Sequence, residues 1–210
     1  MSIPEVFIIE SLSVEDQIFE NYEGRILYEA LKLQNKKPIY YYLKTEGELA
    51  KVPEAFEKSG YRYLHCSCHG DMERLFLTTG SVTYERFSTV FKDKLAKKRL
   101  FMSACMTGND AFSEAVFANN PELISITAPQ NKPFIQDLSV FWAAMYNRLN
   151  FINNKSINGK ALRYILNELS RLFGVDIYYS NVNKKYFQFN DKRWINKLEE
   201  IAEKKSKIEE

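Results

Sequence analysis

The sequence predicts an α/β fold in which a mostly parallel sheet lies between two layers of helices, with a small hairpin added. Short apolar segments typical of buried strands alternate with amphipathic helical segments along most of the chain, which indicates parallel strands joined by crossover helices. The 210 residues are 45% hydrophobic and 14% aromatic, enough for one sizeable core. We therefore expect one three-layer α/β/α domain over residues 1–190, followed by an amphipathic helix at 191–210 that packs on the same domain.

Three strands and two helices are predicted in the first third of the chain. The predicted strands are VFIIESL (6–12), PIYYYL (38–43) and YRYLHCSCHG (61–70). Between them, residues 25–33 and 46–58 place apolar side chains on one face with the period of a helix. The order β, α, β, α, β is typical of a parallel sheet that helices cover on both sides.

The rest of the chain continues this alternation after one interruption. Residues 72–87 contain two short alternating segments around a Thr-Gly-Ser turn, which predicts a hairpin laid over one end of the sheet. The predicted elements that follow are helix 88–98, strand 100–105, helix 111–119, strand 123–128, helices 138–149 and 160–173, a last strand at 176–180 and an edge segment at 184–189.

Charge and composition argue against several classes of function. The 29 Lys and Arg residues nearly balance the 27 Asp and Glu residues, so we expect neither nucleic acid nor a membrane surface as a partner. The N-terminal segment lacks the features of a signal peptide, and no apolar run is long enough to cross a bilayer. Three cysteines are too few for a disulfide scaffold, which favours a cytoplasmic location. A protein or peptide partner is expected, and the oligomeric state is left open.

Both histidines and two of the three cysteines lie within five residues, in the segment HCSCH. A structural zinc site needs four ligands, often from two paired half-sites, and the chain has no second half. In a strand, alternate side chains point to opposite faces, which separates His65 and His69 from Cys66 and Cys68. The C-x-C spacing also differs from the C-x-x-C of thioredoxin-like proteins. We therefore predict that the two cysteines pack in the core, with no metal and no cofactor.

His69 and Cys105 are the residues that we expect to carry chemistry. Each stands at the carboxyl end of a predicted strand, where parallel sheets place their functional groups. If the two strands are neighbours, an imidazole and a thiol meet across one crevice, as in a cysteine nucleophile with its base. His65 lies roughly 13 Å further back along its strand, at ~3.3 Å per residue. The alternative is that Cys105 is a third buried cysteine and His69 a structural residue.

The motifs LHCSCHGD and LFMSACMTG resemble the His-Gly and Ser-Ala-Cys-x-x-Gly motifs of the caspase-like (clan CD) cysteine peptidases. The resemblance is closest to the CHAT-domain branch, which is similar to separase, and it covers roughly residues 5–190. It implies a caspase-like fold and a catalytic dyad of His69 and Cys105. By the same resemblance, the backbone N–H groups of Gly70 and Cys105 form the oxyanion hole.

This resemblance implies a cysteine endopeptidase that cleaves a protein substrate without a metal or an organic cofactor. The family often joins its peptidase to sensor or repeat domains, and none is recognisable in this sequence. A separate activating protein is therefore expected, with a bacterial defence system as the context that the resemblance suggests. The alternative is a catalytically idle binding or scaffold module, since a fold does not guarantee a function.

Asp137 is the candidate residue for substrate binding. In separase-like relatives, an acidic residue in this region helps to form the pocket for the side chain before the cleaved bond. The alternative is that Asp137 caps a helix beginning at Leu138, a position that suits an Asp well. Ser103 stands where metacaspase-like members have an acidic residue, so without Asp137 the pocket has little negative charge. We therefore expect a preference for a neutral, apolar or small side chain.

Overall fold

The computed structural model describes residues 3–183 and 186–189 of the chain. The strands are β1 (Ile3–Ser11), β2 (Ile39–Tyr42), β3 (Tyr61–Gly70), β4 (Arg74–Phe76), β5 (Ser81–Thr83), β6 (Arg99–Ser103), β7 (Ser125–Pro129), β8 (Ile177–Asn181) and β9 (Tyr186–Phe189). The helices are α1 (Val14–Ile18), α2 (Glu23–Leu33), α3 (Glu46–Leu49), α4 (Val52–Ser59), α5 (Tyr84–Val90), α6 (Asp110–Asn119), α7 (Ile135–Ile152) and α8 (Gly159–Phe173).

The central sheet has the strand order β2-β1-β3-β6-β7-β8-β9 within these described residues. Every pair from β2 to β7 is parallel, whereas β8 runs antiparallel to β7 and β9 runs antiparallel to β8. The β4–β5 hairpin pairs with the carboxyl end of β3 through His69 and Gly70. The predicted combination of a mostly parallel sheet and a small hairpin is therefore confirmed.

Helices cover both faces of the sheet, each over its own apolar core. On one face, Leu64 and Cys66 of β3 pack with side chains of α4, α5 and α6. On the other face, Tyr63 of the same strand packs with side chains of α2, α7 and α8. Consecutive residues of β3 enter opposite cores because side chains alternate along a strand. The three-layer α/β/α arrangement predicted from the sequence is confirmed.

Local sequence signals explain where several helices begin and end. Thr45 and Glu48 form a capping box at the start of α3, which satisfies backbone N–H groups that a helix leaves without partners. The Thr83 side chain accepts a hydrogen bond from the backbone N–H of Arg86 and starts α5. Gly60 ends α4 with a left-handed φ of 68°. This conformation favours glycine and turns the chain directly into β3.

Two helix predictions from the first half of the chain are wrong in their boundaries. The stretch 46–58 forms two helices, because Pro53 in the first turn of α4 cannot donate the hydrogen bond that one continuous helix requires. The helix expected at 88–98 instead occupies Tyr84–Val90. The prediction overlooked the capping signal of Thr83, which starts the helix directly after the hairpin.

Other differences are smaller. The short helix α1 was not predicted, and α7 begins at Ile135, before the expected start at residue 138. The predicted amphipathic helix at 191–210 lies outside the described residues. No helix in the described part of the chain is both long and apolar enough to span a membrane.

Candidate active site

The candidate active site lies where two neighbouring parallel strands end. β3 pairs with β6, and the last pair in their register joins Ser67 to Ser103. His69 stands two residues beyond Ser67, and Cys105 stands two residues beyond Ser103. Since parallel strands in register carry equivalent residues side by side, the two chemistry-bearing side chains leave the same edge of the sheet. The sequence argument required the two strands to be neighbours, and they are.

The main chain after His69 is in contact with the turn that carries Cys105. A Cβ atom placed on Gly70 would lie 2.8 Å from the carbonyl oxygen of Cys105 and 3.2 Å from side-chain carbons of Ala104 and Thr107. Real Cβ atoms do not approach a carbonyl oxygen so closely. Glycine is therefore required here, because the His-Gly strand end and the cysteine turn approach each other to main-chain contact distance.

Hydrogen bonds on both sides of Cys105 hold the turn after β6 in place. Thr107 donates its hydroxyl to the carbonyl oxygen of Ala104 at 2.7 Å. The backbone N–H of Met106 donates to the carbonyl oxygen of Asn131 at 3.0 Å. Met106 also has a φ of 62°, a left-handed conformation that costs free energy in a residue with a long side chain. Sharp turns of this kind expose a side chain at a strand end.

His69 and Cys105 open into one cleft of about 260 Å³. The His69 side chain is 49% exposed and the Cys105 side chain is half-buried. The cleft lies between the strand ends, the segment after β1, the start of α2 and the start of α7. Its lining residues are Leu12, Asp16, Glu23, Ser67, Cys68, His69, Ser103, Cys105, Pro133, Phe134, Ile135, Gln136 and Leu138.

Asp16 contacts the imidazole of His69 and was not predicted from the sequence. Its Oδ2 atom lies 2.5 Å from Nε2 of His69. Ser13 and Asn21 donate further hydrogen bonds to the same carboxylate. Partial burial works to raise the pKa of Asp16, but the hydrogen bonds from Ser13, His69 and Asn21 together hold it below its usual value. Asp16 is therefore an ionised partner that orients the ring.

The Cys105 thiol has no such partner in the structure. Burial raises its pKa above the ordinary value, although the positive charge of Lys132 and the backbone N–H of Cys105 itself oppose the increase. Among the hydrogen bonds of the described residues, none joins the His69 imidazole to Sγ of Cys105; the ring bonds to Asp16 instead. The resting cleft therefore holds a protonated thiol beside an imidazole that is engaged elsewhere.

The other members of the HCSCH segment divide between the two faces of β3 as predicted. Cys66 and Cys68 join the core that contains Leu64. Burial raises the pKa of Cys66 well above its usual value and that of Cys68 to about 12. His65 is fully buried on the opposite face, where its ring lies edge-on to Trp142.

The described residues contain no group of three or more His, Cys, Asp or Glu side chains that could hold a metal. Within the HCSCH segment, the physical reason is the alternation of side chains along the strand, which directs potential ligands to opposite faces. That the protein needs no metal or other cofactor stays a prediction.

Glu23, which lines the cleft, forms a buried acidic pair with Glu10. Ser67 donates its hydroxyl to Oε2 of Glu23 at 2.7 Å and approaches Oε1 of Glu10 at 3.4 Å. Glu10 also accepts hydrogen bonds from the backbone N–H of Gly24 and from the Tyr40 hydroxyl, each at 2.6 Å. Burial raises the pKa of Glu10 to about 7, with a smaller increase from the nearby charge of Glu23. The sequence carries no signal for this pair, because its members come from β1 and α2.

Asp137 lies in the first turn of α7 and does not begin that helix. The residue that precedes the helix is Phe134, which makes no side-chain cap, so the alternative that Asp137 caps a helix from Leu138 is wrong. A carboxylate in this turn is favourable because it faces the positive end of the helix dipole. The cleft is lined by the neighbours Gln136 and Leu138 rather than by Asp137.

The fold is that of the caspase-like cysteine proteases. A secreted C11 cysteine protease from Bacteroides thetaiotaomicron matches 87% of this chain and 68% of its own, with a TM-score of 0.55 and 8% identity. Caspase-1 from Spodoptera frugiperda matches 82% of this chain and 79% of its own, with a TM-score of 0.53 and 18% identity.

The Arg-specific cysteine proteinase gingipain R is also similar in structure, with a TM-score of 0.53 and 14% identity. The match covers 81% of this chain and 42% of that one, so this chain spans less than half the length of that protein. No family model and no curated protein sequence matches the chain. These neighbours belong to clan CD, and the chain has their caspase-like fold. Its place in the CHAT-domain branch stays a prediction.

Proposed function

We propose that this chain is a cysteine endopeptidase that cleaves a protein substrate with Cys105 and His69. The observation that carries the proposal is the convergence of these two side chains on one cleft, at the carboxyl ends of neighbouring strands. The caspase-like fold supports the same chemistry, because its solved neighbours are cysteine proteases. No metal or organic cofactor takes part in the proposed reaction.

In this reaction, the Cys105 sulfur attacks the carbonyl carbon of the scissile bond while the His69 imidazole accepts the thiol proton. The N–H groups of Gly70 and Cys105 donate hydrogen bonds to the oxyanion. When the C–N bond breaks, the imidazolium gives its proton to the leaving amine and a thioester remains. A water molecule, deprotonated by His69, then attacks the thioester and releases the carboxylic acid and the free thiol.

Asp16 acts in this scheme as the residue that positions His69. Its contact is with Nε2 of the imidazole, which leaves Nδ1 as the nitrogen that can accept the proton of Cys105. The ionised carboxylate also stabilises the imidazolium that forms after proton transfer. Asp16 comes from α1, so the proposed site combines residues from β3, β6 and the segment after β1.

We further propose that a partner protein activates the enzyme. Two features support this: burial raises the pKa of the Cys105 thiol, and the His69 ring bonds to Asp16 without a hydrogen bond to that thiol. A movement of the strand ends that brings the imidazole to the thiol would favour the thiolate. The partner and a role in bacterial defence rest on the sequence resemblance to CHAT domains, and a cytoplasmic location rests on the small number of cysteines.

The proposal is tested by labelling with peptidyl acyloxymethyl ketones, which react with a thiolate at a peptide-binding site. We expect the label on Cys105, at a rate that rises between pH 7 and pH 9 as the thiol ionises. His69→Ala is expected to slow the reaction, and the exposed variant Glu29→Gln is the control that leaves it unchanged. No labelling of Cys105 across this pH range, with ketones of varied sequence, would overturn the peptidase assignment.

The second candidate function is an idle caspase-like binding module. The raised pKa of the Cys105 thiol and the pairing of His69 with Asp16 favour it, since a protonated thiol without an imidazole partner is not a nucleophile. The two candidates differ in the labelling experiment at pH 9, where a larger fraction of the thiol is ionised than at pH 7. A binding module would leave Cys105 no more reactive toward the peptidyl ketone than toward iodoacetamide.

A further inference from the structure

The strand β2 forms one edge of the central sheet. It pairs with β1, and no other described strand lies beside it. The backbone N–H of Leu43, directly after β2, donates to the carbonyl oxygen of Glu10 in β1. Because the main-chain groups of successive residues alternate in direction along a strand, those of Tyr40 and Tyr42 point away from β1. In the described part of the chain, this edge therefore offers N–H and C=O groups to an added strand.

A groove of about 650 Å³ runs between this edge and α2. Four tyrosine side chains line it, those of Tyr22, Tyr28, Tyr40 and Tyr42. They form two pairs, each joining α2 or its N-cap to β2, with ring centroids 6.1 Å apart for Tyr22 and Tyr42 and 6.0 Å apart for Tyr28 and Tyr40. Tyrosine is enriched at protein interfaces, because its ring supplies apolar contact area and its hydroxyl a hydrogen bond. The groove is therefore suited to binding a peptide.

The groove also carries an excess of positive charge. Arg25 and Lys44 line it, and neither takes part in an ion pair among the described residues. Glu29 is the carboxylate among the described lining residues, and it is paired with Lys32 at 3.2 Å. Glu48 lies near Lys44, but its carboxylate accepts hydrogen bonds from backbone N–H groups. The two cations therefore favour a ligand that carries carboxylates.

The groove and the candidate active site are built on the same elements. Gln17 of α1 lines the groove, and the residue before it, Asp16, contacts the catalytic imidazole. On the side of β2, Tyr40 donates its hydroxyl to Glu10 at 2.6 Å. Glu10 in turn accepts the backbone N–H of Gly24, at the start of α2, at 2.6 Å. A ligand in the groove therefore contacts the two helices that also border the cleft.

We infer that the groove between α2 and β2 binds an extended acidic segment of a partner protein, which adds a strand to the edge of the sheet. The main chain of this segment hydrogen-bonds to Tyr40 and Tyr42, and its alternate side chains enter the groove, where Arg25 and Lys44 bind carboxylates. A protein segment is favoured over a nucleic acid, because a strand edge binds main chain and the described lining offers two cations alone. That the segment belongs to the activating partner rests on the proposed function.

The experiment selects peptides on the intact chain. A library of random heptapeptides is enriched on the wild-type chain and depleted on a chain with Arg25→Gln and Lys44→Gln, which removes sequences that bind elsewhere. We expect the surviving peptides to carry Asp or Glu at alternate positions. Isothermal titration calorimetry should show a roughly tenfold loss of affinity in the double variant. The matched control, Lys58→Gln with Lys94→Gln, removes two cations on the opposite face of the sheet and should leave the affinity unchanged.

N-methylation of a selected peptide separates strand addition from binding by charge alone. Methyl groups on every second backbone nitrogen, in the register whose N–H groups face β2, should weaken binding by roughly tenfold, because they remove main-chain hydrogen bonds. In the other register, the methyl groups face solvent and should change the affinity little. Equal losses in the two registers would overturn the inference.

Two further results would contradict the inference. The first is that no peptide survives the depletion step, or that the surviving peptides lack acidic residues. The second is that an oligonucleotide of thymidines binds more tightly than every selected peptide and loses affinity in the Arg25→Gln, Lys44→Gln chain, because the groove would then be a nucleic-acid site. If that chain does not fold, the comparison of N-methylated peptides decides alone, since it uses the wild-type protein.

Failure of the inference and failure of the proposed function give different results. Binding of acidic peptides, together with a Cys105 thiol that no peptidyl ketone labels, would keep the docking groove and remove the peptidase. Ketone labelling of Cys105 in a chain that selects no acidic peptide would keep the peptidase and remove the docking groove. A selected peptide that binds without raising the labelling rate at pH 7 would show that the groove does not serve activation.

Discussion

The middle and the carboxyl end of β3 carry the same residue types in different surroundings. His65 and Cys66 lie in the middle, where both side chains are buried, in opposite cores. His69 lies at the end, half-exposed, beside Asp16 and across the cleft from Cys105. Four residues along one strand therefore separate a histidine used for packing from one that we propose transfers a proton.

This difference teaches that position in the sheet, and not residue type, decides what a side chain can do. In the middle of the strand, neighbouring strands and helices exclude both water and substrate. At the end, the strands stop and the loops diverge, which leaves room for a ligand. The expected effects of substitutions at the two positions differ accordingly.

The largest expected effect is at the carboxyl end. Cys105→Ala and His69→Ala should each reduce peptide hydrolysis by roughly 10³-fold or more, because each removes a group that takes part in the proposed reaction. Both substitutions are at partly exposed positions, so the melting temperature should change little. Hydrolysis of a fluorogenic peptide and a thermal melt check this. Full activity in either variant would show that the strand end does not carry the chemistry.

In the middle of β3, a substitution is expected to affect stability rather than activity. His65→Ala leaves a cavity between Trp142 and Tyr146 and should lower the free energy of unfolding by about 2–4 kcal/mol. Urea denaturation measures this, with His69→Ala as the matched control, expected to change stability by less than about 1 kcal/mol. If the two substitutions destabilise the protein equally, the expected difference between the middle and the carboxyl end of β3 is wrong.

Asp16→Asn tests whether Asp16 positions His69 at the carboxyl end of β3. Loss of the charge beside the imidazole should reduce kcat by roughly 10- to 100-fold with little change in KM, because Asp16 acts through His69 and not on the substrate. The pKa of Asp16 lies below its usual value, so the wild-type carboxylate stays ionised throughout the neutral range. An altered pH profile in the variant indicates a positioning role. A change in stability with unchanged kcat would show that the role of Asp16 is structural.

The smallest expected effect concerns the three thiols. With limiting iodoacetamide at pH 8, Cys105 should react at least about tenfold faster than Cys66 or Cys68, because reaction requires both access and a thiolate. Burial raises the pKa of all three thiols, so every rate should increase with pH. Peptide mapping after brief labelling measures the ratio. Equal rates would mean that the cleft does not expose Cys105.

Much of the fold was predictable because its signals are local. The alternation of apolar strands and amphipathic helices identified the three layers, and β3 was predicted with its exact bounds. The helix after the hairpin was misplaced because the cap at Thr83 was overlooked. This error did not affect the sheet, since the order of the elements was unchanged.

The sequence by itself determined that His69 and Cys105 stand at strand ends, because strand period and turn residues are properties of neighbouring residues. Only the tertiary structure decided that Asp16 contacts His69 from 53 residues away and that Glu23 reaches Ser67 across 44 residues. The physical reason is that the order of strands in the sheet brings β1 and the start of α2 beside the end of β3. The charge of the cleft depends on that pairing, and no local pattern records it.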